Sequence, residues 1–346
     1  MPDLPEIVVI VGDYGRRRFL AAALRSLDAQ TLPRARFEVV VTKNYRDPEI
    51  DRSLAERGAT VLFDEEPQIG RWLRHAVTAS RAPIVTFLDD DDEFEPNRLA
   101  EVLAVFGRYP DLGYYRNRVT VIDGEGRPVP PSRWRPHEAD PGFDELGPVY
   151  RSRTAKGDLL EIATRRTSAT FNTSSMALRR ELLAGDLGDE FERTQLEDLY
   201  LFLTGVLAPY GVYLDDRRLT RFRFYPGNVS RKVRWLGHAE QSYRDMVPVA
   251  ASHGRPDFAE WLRRESVHFG RMYRGSSLVE RVGEGAARRE VAQRTREYLR
   301  YLGRHPAERR WNLDTWAAGA YGVGYVGLGS VVARFARGRT AARSAA

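Results

Sequence analysis

Cysteine is absent from all 346 residues. That excludes a disulfide framework, a thiolate metal site and thiol nucleophilic catalysis together, so any metal must sit on oxygen or imidazole. Lysine is scarce as well: Lys43, Lys156 and Lys232 are the only three among 54 basic residues. The formal net charge of +6 is therefore carried almost wholly by arginine. Such a charge suits a phosphate-rich partner without choosing among them, and a GC-rich coding bias produces the same excess of arginine. A nucleic-acid partner would rest on charge alone and is not expected. The opening Met1-Pro2-Asp3 has neither the basic start nor the small-residue cleavage site of a signal peptide, so a cytoplasmic location is expected. Long apolar runs are also rare. The uncharged stretch 315–333 is heavy in Gly, Ala, Tyr and Val and is followed by Arg334, Arg337, Arg339 and Arg343. It is at the short edge of a membrane span, and its glycines weaken helix propensity, so a crossing is not expected. Two readings stand for residues 315–343: peripheral contact with an anionic membrane at its inner face, or a helical tail packed on the protein.

With 42% hydrophobic and 29% charged residues spread along its length, the chain is compositionally globular. It is long enough for one large domain or for a catalytic domain with a helical appendage. Apolar, β-branched runs at 6–11, 37–41, 59–63 and 84–88 alternate with helical stretches, the first with Phe19, Leu20, Ala23, Leu24 and Leu27 on one face. That alternation predicts a parallel sheet covered on both faces, with ligands beyond the carboxyl ends of its strands. Leu99, Val102, Leu103 and Phe106 predict a further helix ending near Pro110. Residues 124–157, rich in Pro, Gly and charge, predict an irregular excursion. An ordered apolar stretch is expected at 171–178 and a helix from Thr194. Beyond Arg231 the pattern is helical and basic to about Arg310.

The fourth apolar run delivers Asp89-Asp90-Asp91-Asp92 to its carboxyl end. Carboxylates this crowded repel one another, and Mg²⁺ or Mn²⁺ bridging to a diphosphate is the usual relief. A sugar nucleotide carries that diphosphate, and the metal stabilises it as it departs. An isolated acidic run is more often a solvated turn. Here the strand before it and Glu95-Pro96 with a helix after it place the cluster where α/β ligand sites lie. Further on, Leu196, Leu199, Tyr200 and Leu203 predict the buried stripe of a helix whose first turn holds Glu197 and Asp198. Thr194 and Glu197 stand at capping-box spacing, which accounts for Glu197 and leaves Asp198 as the candidate base. An acidic pair in a first turn is also what the helix dipole favours.

The order of strand, Phe87-Leu88-Asp89-Asp90-Asp91-Asp92, Pro96 and helix resembles the D-x-D region of glycosyltransferase family 2. The resemblance covers roughly residues 5–235. Tyr14, Arg16, Leu20, Leu24, Ser26, Leu27, Gln30 and Thr31 match the family's opening strand, turn and helix. Glu197-Asp198 resembles its E-D motif, and residues 171–176 resemble the small-residue strand that lines the acceptor cleft. The stretch 223–230 is similar to Y-R-x-H-x-x-N-x-S, with Tyr225 where histidine is common. Arg231-Lys232-Val233-Arg234-Trp235 resembles the Q/R-x-x-R-W motif of processive synthases.

This resemblance implies an α/β fold of the GT-A (Rossmann-like) type, with a mixed, mostly parallel sheet flanked by helices. It implies a catalytic domain over 1–235 and a basic, mostly helical C-terminal extension over 236–346. The implied activity is inverting transfer from a nucleotide-diphosphate sugar donor to a carbohydrate or lipid-linked acceptor. Asp198 would be the general base and Asp91 the ligand of Mn²⁺ or Mg²⁺. Asp89 would lie near the ribose, and Asp90 would tune charge or touch the sugar. Asp13 and Tyr14 would line the donor pocket, and Arg234 and Trp235 would bind donor or acceptor. Asp13 is equally explained as a helix cap. Val41-Thr42-Lys43-Asn44 replaces the family's usual V-D-D-G-S and leaves the nucleobase open. A noncatalytic GT-A-like module that binds nucleotide or glycan is the alternative. Haloacid-dehalogenase-type phosphatases share the strand and D-x-D, but Glu93 stands where they carry threonine.

Overall fold

The computed structural model describes residues 4–13, 15–65, 69–130, 148–161, 170–183, 194–228, 233–283 and 288–305. Two compact units divide the chain, Met1–Tyr225 and Pro226–Ala346.

In the first unit, β1 (Ile7–Asp13) is buried at every position and pairs in parallel with β2 (Phe37–Lys43) and β4 (Ile84–Asp89). β3 (Thr60–Phe63) extends the parallel set beyond β2. The ladders run past the last apolar side chain, through Gly12↔Asp89 and Asp13↔Lys43, so the strands themselves carry polar residues to the carboxyl edge. Helix α1 (Arg17–Asp28) buries Phe19, Leu20, Ala23, Leu24 and Leu27. Of these, Leu20, Ala23, Leu24 and Leu27 join Ile7, Val9, Val11 and the inner face of α4 (Arg98–Arg108) in one core. α2 (Pro48–Glu56) and α3 (Ile69–Ala79) connect the remaining parallel strands.

Beyond β4 the sheet changes direction. Among the described residues its nine strands run β3-β2-β1-β4-β8 (Met176–Arg179)-β6 (Leu112–Ile122)-β9 (Gly211–Arg223)-β5 (Glu93–Phe94), with β7 (Val149–Arg151) on β9. β8 lies antiparallel to β4 and to β6, while β9 is parallel to β6. β5 closes the far edge against β9. The two longest strands, β6 and β9, give no alternating hydrophobic signal, because they bury Arg116, Asn117, Arg118, Asp215, Thr220 and Arg223 among their apolar residues. Two expectations are corrected. The stretch 171–176 is largely a turn, with a 3₁₀ segment at Thr173–Ser175 before β8 begins. The irregular excursion over 124–157 contains β7, and its residues 131–147 lie outside the described residues.

Arg98 holds the mixed half together. Its side chain is fully buried and donates to Thr86 Oγ1 at 2.9 Å, to Asn117 Oδ1 and Thr220 Oγ1 at 3.1 Å each, and to the Met176 carbonyl at 3.3 Å. Those partners sit on β4, β6, β9 and β8. The guanidinium also lies 3.9 Å from the centre of the Phe94 ring. Across the sheet, α5 (Glu197–Leu207) is buried almost all round from Leu199 to Val206. Gly205 lets it approach β6 so closely that an added Cβ would come within 2.4 Å of Tyr114 Cβ.

The second unit contains α6 (Val233–Ser252), α7 (Pro256–Gly283) and α8 (Arg288–Arg304). Buried Glu240 on α6 pairs with Arg244 at 2.6 Å and with Arg274 of α7 at 2.7 Å. Tyr243 stacks on Phe269 beside them. Leu278 of α7 meets Val291, Tyr298 and Leu302 of α8. Among the described residues no helix is long and apolar enough to cross a membrane. The stretch 315–343 lies outside them.

Replacing Arg98 by alanine strands buried oxygen acceptors on four strands. The expected loss is about 3 kcal/mol or more, read as a lower urea midpoint at unchanged m-value. A midpoint shift worth less than ~1 kcal/mol would show that Arg98 does not tie the strands together.

Candidate functional site

The site begins where β4 ends. The Asp92 N–H closes a turn onto the Asp89 carbonyl at 3.0 Å. Asp90, Asp91 and Asp92 are 0%, 4% and 1% exposed, and Asp89 is half-buried, so the cluster does not face bulk water. Arg16, just before α1, answers part of this charge: its guanidinium donates to both Asp90 and Asp91, and its N–H reaches Asp90 Oδ2 at 3.2 Å. An internal cation thus answers part of the crowding, beside the carboxylate oxygens left to a divalent ion. Arg16 appeared in the sequence only as a family match. Its role was hidden because 74 residues separate it from Asp90.

Asp92 is saturated differently. It accepts from Asn172 Nδ2 at 2.8 Å, Ser174 Oγ at 2.7 Å and the Arg223 N–H at 2.9 Å. Arg223 also donates to the Asp91 carbonyl at 2.8 Å and pairs with Glu93. Tyr225, which stands where the resembling motif commonly carries histidine, donates its hydroxyl to Asp91 Oδ2 at 3.2 Å, and its ring packs on Phe19.

One carboxylate oxygen each from Asp89, Asp91 and Asp92 lies within 4.8 Å of the others. Three hard oxygen ligands on one turn fit a cation of the Mg²⁺ or Mn²⁺ type. The metal expectation named Asp91; the structure brings Asp89 and Asp92 into the same cluster. Burial raises the Asp91 pKa to about 7, with Arg16 lowering it and Asp92 and Asp90 raising it. Asp89 and Asp92 are raised as well, chiefly by burial.

The first turn of α5 supplies the second group of acids. Asp198 accepts the Leu199 N–H at 2.8 Å. The capping box expected of Thr194 and Glu197 does not form. The helix starts at Glu197 with Leu196 as its cap, and Thr194 Oγ1 instead accepts the Leu196 N–H at 3.2 Å. Glu197 therefore has no capping role, and its charge acts on Asp89 across the site. Burial, then the neighbouring Asp198, raises Glu197 to about 8. Burial raises Asp198 to about 6, with nearby backbone N–H groups and Arg116 on β6 lowering it. At neutral pH the pair favours an ionised Asp198 beside a protonated Glu197.

Asp13 ends β1, fully buried, where it accepts the Gly15 N–H at 2.9 Å and the Tyr45 hydroxyl. It does not cap α1, whose N-cap is Arg16 without a side-chain bond. Burial raises its pKa. Lys43, which follows the second apolar run, pairs with Asp51 and lies 4.4 Å from the Tyr45 ring centre. Tyr14, Arg231 and Lys232 lie outside the described residues. Arg234 is exposed on α6, and Trp235 packs edge-on against Phe269, with ring centres 5.7 Å apart. Both belong to the second unit.

A curled, mixed sheet with an acid turn beyond β4 and a helix that starts with two acids defines the GT-A class of α/β fold. The model of glycosyl transferase family 2 matches residues 8–186. The chain belongs to that family. An uncharacterized glycosyltransferase of Nostoc sp. is 27% identical over 132 residues, covering 36% of this chain and 39% of the relative. The chain thus spans about two fifths of that relative's length. Among solved structures, S. aureus TarS 1-349 in complex with UDP-GlcNAc is similar at a TM-score of 0.57 and 15% identity, covering 96% of this chain and 91% of the other. TarS 1-349 described without a ligand gives a TM-score of 0.56 with the same identity and coverage.

The raised acids make the metal-free protein pH-sensitive in a defined direction. A carboxyl whose folded pKa lies above its unfolded value destabilises the fold when ionised, and the penalty fades as pH falls through the folded value. In EDTA the melting temperature is expected to rise between pH 8 and pH 6. Asp91→Asn should flatten this profile and raise stability at pH 8, by no more than ~4 kcal/mol. A melting temperature that falls over the same interval would contradict the electrostatics described.

Proposed function

We propose that the protein is an inverting glycosyltransferase that moves a sugar from a nucleotide-diphosphate donor to an acceptor hydroxyl, with Asp198 as general base. The observation that carries this reading is the turn at 172–174. It donates to Asp92 from Asn172 and Ser174, and its 3₁₀ segment packs against α5, so the acid loop and the helix that carries Asp198 meet at one turn. TarS binds UDP-GlcNAc and UDP in its solved complexes, which makes UDP-sugars the first donors to test here.

In this mechanism Asp198 takes the acceptor proton as the hydroxyl oxygen attacks the anomeric carbon. The bond from that carbon to the diphosphate breaks with its electron pair, and a single displacement inverts the centre. Asp198 is suited to the task because it is ionised at neutral pH while remaining basic enough to accept a proton. Asp91, with Asp89 and Asp92, would hold Mn²⁺ or Mg²⁺, which when bound neutralises charge on the departing diphosphate. Asp89 and Asp13, together with Tyr14, are assigned to the nucleotide. Asp90 acts through Arg16, which it holds in place. Arg234 and Trp235 are assigned to substrate binding on their likeness to R-x-x-R-W. A carbohydrate or lipid-linked hydroxyl is the proposed acceptor class.

A panel of UDP-, GDP- and dTDP-sugars, assayed for nucleotide release with Mn²⁺ or Mg²⁺, tests the reading. Asp198→Asn is expected to lower kcat about 10²–10⁴-fold. EDTA and Asp91→Asn should abolish release, and kcat/KM should fall as pH drops through about 6. Binding of a nucleotide sugar without any turnover in the wild type would instead favour a noncatalytic module.

A further inference from the structure

Of the three acids whose oxygens converge beyond β4, Asp91 alone is paired with a cation among the described residues. Asp92 is held by neutral donors: an amide, a hydroxyl and a backbone N–H. Asp91 Oδ2 instead accepts from Arg16 Nη1, and the Tyr225 hydroxyl reaches the same oxygen at 3.2 Å. A divalent ion drawn to the cluster therefore meets a positive charge already bonded to one of its ligands, through a charge-assisted contact of the stronger kind.

Asp90 keeps that charge in place. It lies outside the converging trio and is 0% exposed. It accepts the Arg16 backbone N–H at 3.2 Å and the Arg16 Nε–H at 2.5 Å, with Nη2 on the same oxygen as Nε. The Nε and Nη2 edge of the guanidinium thus belongs to Asp90, and Nη1 alone reaches Asp91. The planar fork makes the two contacts separable: the bond to Asp91 can open while the edge on Asp90 holds. The Arg16 side chain is 23% exposed, against 5% for Asp91, so a released Nη1 has water to face while Asp91 does not. The fourth aspartate, which is not one of the three clustered acids, acquires a role as the anchor of Arg16.

We propose that Arg16, anchored by Asp90, competes with the divalent cation for Asp91 and so sets how tightly the protein binds free metal. This rests on the reading of Asp91 as a metal ligand. The cation binds the arrangement in which Nη1 has left Asp91, and its apparent affinity is lowered by the fraction of molecules in which the pair is closed. Arg16 is a cation of fixed charge at any physiological pH, so the competition does not depend on protonation. A residue that only neutralised buried acids would act in the opposite sense, because its loss would loosen the acid loop and weaken metal binding.

The experiment measures Mn²⁺ binding to the full chain with no nucleotide present, from the loss of the EPR signal of the free aqueous ion. Arg16→Gln is expected to bind Mn²⁺ about tenfold or more tightly than wild type, since a charge-assisted bond no longer has to open. Arg16→Lys keeps the charge but cannot hold Asp90 and Asp91 together, and its affinity should fall between the two. Arg17→Gln removes the same charge from the next residue, which is 66% exposed and pairs with Asp47 at 2.7 Å. It should stay within about twofold of wild type. Equal or weaker binding in Arg16→Gln, with Asp91→Asn unable to bind, overturns the competition alone; so does an Arg16→Lys protein that matches wild type or an Arg17→Gln protein that matches Arg16→Gln. Mn²⁺ binding that survives Asp91→Asn overturns the metal reading itself. A second measurement needs only the wild type: in ¹⁵N NMR, Mg²⁺ should shift the Arg16 Nη signals while the Nε–H on Asp90 stays protected from exchange. Nη signals that do not move at a Mg²⁺ concentration that raises the melting temperature overturn the proposal.

Discussion

The constraint on which this structure turns is the burial of negative charge at the end of β4. Three of the four aspartates there are almost inaccessible to water, yet each carboxylate has an assigned neighbour of opposite charge or a set of donors. Arg16 spans Asp90 and Asp91, Tyr225 adds a hydroxyl to Asp91, and Asp92 is held by an amide, a hydroxyl and a backbone N–H. Buried ions persist only with such compensation. Here the donors come from three separate places in the chain, so the strands and turns that carry them are drawn to one point.

That requirement explains the unusual second half of the sheet. β6 and β9 bury arginines and amides that a purely apolar strand would exclude, and Arg98 bonds four strands through neutral oxygens. β8 is the short antiparallel element that brings the 172–174 turn against β4, where the Asp89 N–H meets Ser174 Oγ at 3.0 Å. Packing then sets the proton affinities. Asp198 and Glu197 are adjacent acids in one helical turn, but the N–H groups and Arg116 reach Asp198, leaving Glu197 the weaker acid.

Much of the parallel half was legible in the sequence. The apolar runs of β1, β2, β3 and β4 and the stripe of α1 have the periods of strand and helix, and nothing in the folded protein competes with them. The aspartate cluster was legible for the same reason, because it directly follows an apolar strand. β6 and β9 were not, since their buried polar residues erase the alternation on which strand prediction depends. The small-residue stretch at 171–176 read as a strand, although Asn172 takes a turn conformation held by contacts with Asp92 and Ser175. Thr194 and Glu197 had capping-box spacing, but the chain enters α5 through buried Leu196 and the box does not close.

By itself, then, the amino-acid sequence determined the elements whose signal is local: periodic strands and helices, the acids at the exit of β4 and the acidic pair at the start of a helix. Only the tertiary structure decided which charge answers which acid, that Arg16 lies within the cluster, and that Asn172 and Ser174 hold Asp92. The physical reason is range. Hydrophobic period and residue spacing act over a few neighbouring positions, whereas the burial of an ion is compensated by whatever donor the fold brings within about 3 Å, at any distance along the chain.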